Sequence, residues 1–107
     1  MDLVNQFIAT SLAIKVFRRD KELFADFKFF ELYQAKLDKI IEVLVQDFNN
    51  LRKDMYTVHH IDIKKISGTK YRIRGKEKIE VIEYTPEQLK QMTSTIMNDY
   101  LLGKHKS

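Results

Sequence analysis

The stretch IDIKKISGTKYRIRGKEKIEVIE, residues 61–83, decides the fold. Ile61 and Ile63 alternate with Asp62 and Lys64, Tyr71 and Ile73 with Arg72 and Arg74, and Ile79 and Val81 with Lys78 and Glu80. A period of two belongs to a strand with one covered face. The two interruptions, Ser67-Gly68-Thr69 and Gly75-Lys76-Glu77, carry turn-forming residues. The stretch therefore predicts a three-stranded antiparallel meander.

Register follows from the faces, because a one-residue slip turns an apolar face outward. A two-residue loop at Ser67-Gly68 sets Ile63 opposite Arg72 and mixes the faces. A three-residue loop at Ser67 to Thr69 sets Ile63 opposite Ile73 and Asp62 opposite Arg74, and is preferred. By the same test a loop over Gly75 to Glu77 pairs Ile73 with Ile79, Tyr71 with Val81 and Arg72 with Glu80, with Gly68 and Gly75 available for positive φ. The expected sheet has one apolar and one charged face.

Upstream of Thr57 the spacing is helical. Leu3, Val4, Phe7, Ile14 and Phe17 share one broad side of a helix over Asp2 to Phe17, which Ile8 and Leu12 widen. So apolar a helix needs more than one neighbour. A second pattern starts at Asp20, read as an N-cap, and runs through Leu23, Phe27, Phe30, Leu37, Ile41, Leu44, Phe48, Leu51 and Met55, broken only at Gln34. Unbroken from Lys21 to Asp54, such a helix is about 50 Å long, more than so small a domain spans. A kink at Asn49-Asn50, cover from the first helix folding back, or a second copy of the chain would each resolve this, and fold-back is preferred.

Downstream, Thr85 as N-cap, Pro86 at the first helical position and Gln88 three residues after the cap start a last helix. Its buried stripe is Leu89, Met92, Ile96, Tyr100 and Leu101, and Gly103 stops it ahead of a frayed Lys104 to Ser107 tail. The reading is a single α+β domain over residues 1–107: two N-terminal helices with the second one long, the meander, and a C-terminal helix. The seven phenylalanines, all in the first two helices, are expected in its core.

With 44% hydrophobic and 32% charged residues, the chain has the composition of a folded globular domain. It contains no cysteine, which removes disulfides, thiolate nucleophiles and Cys-ligated zinc, and makes the cytoplasm the expected location. The apolar N-terminal stretch is interrupted by Asp2, Asn5, Gln6, Thr10 and Ser11 and lacks a preceding basic residue, unlike a secretory signal. Lys15, Arg18 and Arg19 follow it, but its polar face is poor in charge, so core packing explains it better than a membrane surface does.

No catalytic constellation is legible. His59 and His60 are adjacent, so their side chains diverge on a strand or a helix and are ill placed to share a metal ion. Ser11, Ser67 and Ser94 stand in no nucleophile motif, and the three glycines, at 68, 75 and 103, form no phosphate-cradling loop. Asp38 and Glu42 lie on a mixed-charge helical face. Neither an enzyme nor a bound cofactor or metal is expected.

Charge is uneven. Between His59 and Lys78, seven basic residues stand against Asp62 and Glu77 in a chain of net charge +4. Lys64, Lys70, Arg72, Arg74 and Lys78 are expected to project from one sheet face, with Lys65 and Lys76 near the loops, where they could meet phosphates. Asp62 and Glu80 interrupt that field, and base-stacking aromatics are missing from the face, since Tyr71 alternates onto the apolar side. Two functions are therefore expected, in this order. The first is a protein-interaction module binding another protein or itself as a homodimer. The second is a nucleic-acid-binding accessory protein using the charged face.

Overall fold

A computed structural model describes residues 1–23 and 30–103. Helix α1 (Leu3–Leu23) is followed by the long helix α2 (Phe30–Thr57), then by β1 (Asp62–Lys65), β2 (Lys70–Arg74) and β3 (Ile79–Glu83), and last by α3 (Pro86–Leu101). The strands form an antiparallel sheet in the order β1-β2-β3. This is the α+β layout that the sequence predicts.

The first helix boundary differs from expectation. Asp20 lies inside α1, because nothing between Lys15 and Leu23 breaks a helix: there is no glycine, no proline and no alternative turn signal. Lys21 and Leu23 thus belong to α1, and Leu23 is exposed at its end, off the α2 seam. Lys21 forms an ion pair with Asp38 of α2, and Phe7 stacks on Phe48 at 4.8 Å, so the two helices run antiparallel. Fold-back covers the long helix, which continues through Asn49-Asn50 to Thr57 and is about 42 Å long. The molecule is correspondingly elongated, 53 × 27 × 19 Å.

Two clusters make the core, and α1 contributes to both. Ala9, Ala13, Ile14 and Phe17 pack with Leu37, Ile40 and Leu44 of α2 and Ile96 of α3. From the adjoining side of α1, Ile8 packs with Tyr71, Tyr84 and Leu89, flanked by Ile63 and Ile82 of the sheet. Met92 touches both clusters. Burying a side chain such as Phe17 or Leu44 stabilises the fold by about 1.5–3 kcal/mol. Buried Thr10 and Thr93 satisfy their hydroxyls on the carbonyls four residues back, Gln6 and Leu89. Of the phenylalanines, Phe17 is buried and Phe7 and Phe48 partly so. Phe24, Phe27, Phe29 and the side chain of Phe30 lie outside the described residues, as does the Lys104 to Ser107 tail.

The cap of α3 forms as its sequence requires: the Gln88 amide donates to Thr85 Oγ1 at 3.1 Å, and the Thr85 amide donates to Gln88 Oε1 at 2.8 Å. At the other end Gly103 adopts φ 70°, the left-handed conformation in which a glycine ends a helix without steric cost. Gly68 and Gly75, in contrast to expectation, do not enter that region, and His60 does, at φ 54°.

The β1–β2 register is the expected one, with Ile63 opposite Ile73 and Asp62 opposite Arg74. The β2–β3 register is displaced by one residue: Ile73 faces Glu80, Arg72 faces Val81, Arg74 faces Ile79 and Tyr71 faces Ile82. The cause is Val81-Ile82-Glu83-Tyr84, which offers two apolar phases. Ile82 and Tyr84 carry more apolar surface to Ile8 and Leu89 than Ile79 and Val81 could, and they take the covered face. The hairpin tip shortens to Lys76-Glu77, closed by the Gly75 amide donating to the Lys78 carbonyl at 2.9 Å.

Candidate functional site

The displaced register changes the outer face of the sheet. Lys64, Lys70, Arg72 and Arg74 project there as expected, in company with Ile79 and Val81, which are 57% and 59% exposed. Across the face the rows read Lys64, Arg72, Val81 and Asp62, Arg74, Ile79. It is thus a mixed cationic and apolar surface rather than the wholly charged one expected.

Its carboxylates are also rearranged. Glu80 alternates away from Arg72, so the expected Arg72–Glu80 pair does not form. It binds Lys78 instead, at 2.7 Å. Lys78 therefore departs from the predicted cationic set: it precedes β3, has the opposite alternation, and is held by Glu80, whose hydrogen bond and charge push the ammonium pKa up. Lys70 pairs with Glu83 at 3.4 Å. Among the described residues, no carboxylate lies within 4 Å of the Lys64, Arg72 or Arg74 cationic groups. Lys65 sits opposite Tyr71, and Lys76 is at the hairpin tip.

Backbone hydrogen bonds show which strand groups remain open. The Gly75 amide to the Lys78 carbonyl and the Tyr84 amide to the Thr69 carbonyl, both 2.9 Å, bracket the β2–β3 ladder. Because bonding alternates along an antiparallel pair, Glu80 and Ile82 point their peptide groups at β2, while Ile79, Val81 and Glu83 point theirs away from the sheet. The Ile66 amide to the Lys70 carbonyl, at 2.9 Å, fixes the same alternation on the other side, where Ile63 and Lys65 turn their peptide groups outward. Among the described residues the outward peptide groups of β1 and β3 pair with no further strand, and the edge of β3 carries exposed apolar side chains.

Sequence reasoning missed Ile79 and Val81 as surface residues. The doubled apolar pair Val81-Ile82, followed two residues later by Tyr84, was the available signal. The long α2 seam, by contrast, is largely consumed: Leu37, Ile40, Leu44 and Met55 are buried, and Leu32 and Tyr33 are exposed near its start.

His59 and His60 are both exposed in the turn after α2. Among the described residues, no group of three or more histidine, aspartate or glutamate side chains is placed to hold a metal ion. None of the described helices is long and apolar enough to cross a membrane.

Comparison with curated proteins gives no match, and comparison with solved structures gives none either. A family model described as YhjD protein matches residues 1–105, nearly the whole chain, and the chain belongs to that family.

Proposed function

We propose that the chain is a small cytoplasmic, non-enzymatic protein-interaction module that pairs with a second copy of itself through β3. The observation that carries this reading is the exposure of Ile79 and Val81 on a strand whose outward peptide groups are unpaired within the sheet. An open, apolar edge strand is a template for pairing with another strand.

The segment is complementary to itself. In a two-fold antiparallel pairing centred on Glu80, Ile79 of one copy meets Val81 of the other on the outer face, and both use their outward peptide groups. On the other face Glu80 stands opposite Glu80 of the second copy, and Lys78 of each copy, which binds its own Glu80 and lies diagonal to the other, offsets that like-charge contact. The absence of cysteine supports the assignment to the cytoplasm. Sedimentation equilibrium at tens of micromolar tests the reading: a dimer is expected, and a strictly monomeric chain overturns it.

A second reading is nucleic-acid binding by the same face, favoured by the lack of carboxylate partners for Lys64, Arg72 and Arg74 among the described residues. Backbone phosphates rather than bases would be the target. Fluorescence anisotropy with generic oligonucleotides at about 50 and 200 mM salt tests it: binding that collapses at the higher salt supports phosphate contact, and no binding at the lower salt excludes it.

A further inference from the structure

At the opposite edge of the sheet, a cleft of about 510 Å³ separates β1 from the last turns of α2. Phe7, Met55 and Ile63 give it an apolar floor, and Arg52, Lys53 and Tyr56 stand along its α2 wall. Asp62 and Ile63 both line it, although neighbouring strand residues project to opposite faces. A cleft that touches both therefore lies against the edge of β1, where the peptide groups of Ile63 and Lys65 point outward. Its size falls within the roughly 300–1,000 Å³ of ordinary ligand clefts.

The charges select the occupant. Arg52 and Lys53 are exposed, and among the described residues no carboxylate lies within 4 Å of either cationic group. Two cations, Arg52 and Lys53, therefore line the groove against the single lining carboxylate of Asp62. We infer that this cleft binds an extended acidic peptide segment of another protein, which adds to β1 as a fourth strand. Its backbone bonds to Ile63 and Lys65, an apolar side chain enters over Phe7, Met55 and Ile63, and the carboxylates that alternate with it meet Arg52 and Lys53 on the α2 wall. The inference does not depend on pairing through β3, which lies at the other edge of the sheet.

A fluorescein-labelled Glu-Val-Glu-Val-Glu peptide is the probe, with Lys-Val-Lys-Val-Lys as its control. Saturable micromolar binding of the acidic peptide alone is expected at about 50 mM salt, weakened about tenfold or more by Arg52→Glu with Lys53→Glu. Arg72→Glu with Arg74→Glu, on the outer face, should leave it within about twofold, and circular dichroism checks that both double variants stay folded. Amide exchange of Ile63 and Lys65 should slow about tenfold on saturation, while that of Ile79 and Val81 stays unchanged. Equal binding of the basic peptide, unchanged affinity in the Arg52/Lys53 variant, or no slowing at Ile63 and Lys65 each overturns the inference. Loss of peptide binding alongside an intact dimer would count against this cleft without touching the β3 reading.

Discussion

The Tyr100 hydroxyl donates to the Asp47 carboxylate at 2.5 Å, tying the last turn of α3 to the middle of α2. These two helices otherwise meet mainly through α1, which lies between them in the core. Tyr100→Phe keeps the ring and removes the bond, so it should cost about 1–2 kcal/mol, at the low end for a hydrogen bond to a charged group because the site is only part-buried. Urea unfolding checks this, with the midpoint lowered and the m-value unchanged.

The same residue gives the protein an alkaline limit. Burial first, then the Asp47 hydrogen bond and charge, push the Tyr100 pKa well above the ordinary tyrosine value, and burial pushes Tyr71 and Tyr84 up as well. The folded state then keeps protons that the unfolded chain releases near pH 10. The stability this contributes is intact below about pH 10 and declines as the pH rises further. Thermal unfolding between pH 8 and 12 should show that decline, with a smaller slope in Tyr100→Phe.

Tyr71 presents the opposite case. Its ring packs edge-on against Tyr84 at 6.0 Å, but its buried hydroxyl has no hydrogen-bond partner among the described residues. Leaving a buried polar group unsatisfied costs about 1–3 kcal/mol. Tyr71→Phe should therefore be neutral or raise stability by up to about 1 kcal/mol; a loss beyond 1 kcal/mol in urea would show that the hydroxyl is bonded.

The contrast between Tyr71 and Ile79 shows where the sequence was legible. In β1 and β2 a single apolar phase exists, Ile63 against Tyr71 and Ile73, and alternation alone sets their pairing. In β3 two phases compete, and the choice depends on Ile82 and Tyr84 reaching Ile8 and Leu89, residues distant in the chain. The cap of α3 was legible because Thr85, Pro86 and Gln88 act within one turn. The end of α1 was not: Asp20 reads equally as an N-cap or as a residue of a last helical turn, and no local breaker decides between them. The cleft beside β1 joins residues of α1, α2 and β1, so no local pattern announces it.

His60 holds a left-handed conformation, φ 54°, in the turn that carries the chain from α2 into β1. The Ile61 amide consequently donates to the Met55 carbonyl at 2.8 Å, which sets the start of the strand against the helix end. A non-glycine residue there costs about 1 kcal/mol or more. His60→Gly should raise stability by about 0.5 kcal/mol, and His60→Val, β-branched, should lower it by about 1–2 kcal/mol, both read from urea midpoints. Equal stabilities for the two variants would mean that the turn relaxes out of this conformation.

The register that sets Val81 opposite Arg72 and Ile79 opposite Arg74 also separates the two functional readings. Val81→Lys places a charge beside the centre of the proposed β3 pairing, opposite Ile79 of the second copy, while adding cationic character to the face. It should shift sedimentation toward monomer and leave oligonucleotide affinity unchanged or raised. Arg72→Glu with Arg74→Glu reverses two cations that the proposed pairing does not use. That variant should abolish oligonucleotide binding, if phosphate contact is the function, and keep the dimer. Because all three positions are on the outer face and outside the two core clusters, each variant should retain the unfolding free energy of the wild-type monomer within about 0.5 kcal/mol, compared at a concentration too low for pairing. A Val81→Lys chain that remains dimeric would remove β3 as the pairing edge, because each lysine replaces the apolar contact with Ile79 of the second copy on which the proposed pairing rests.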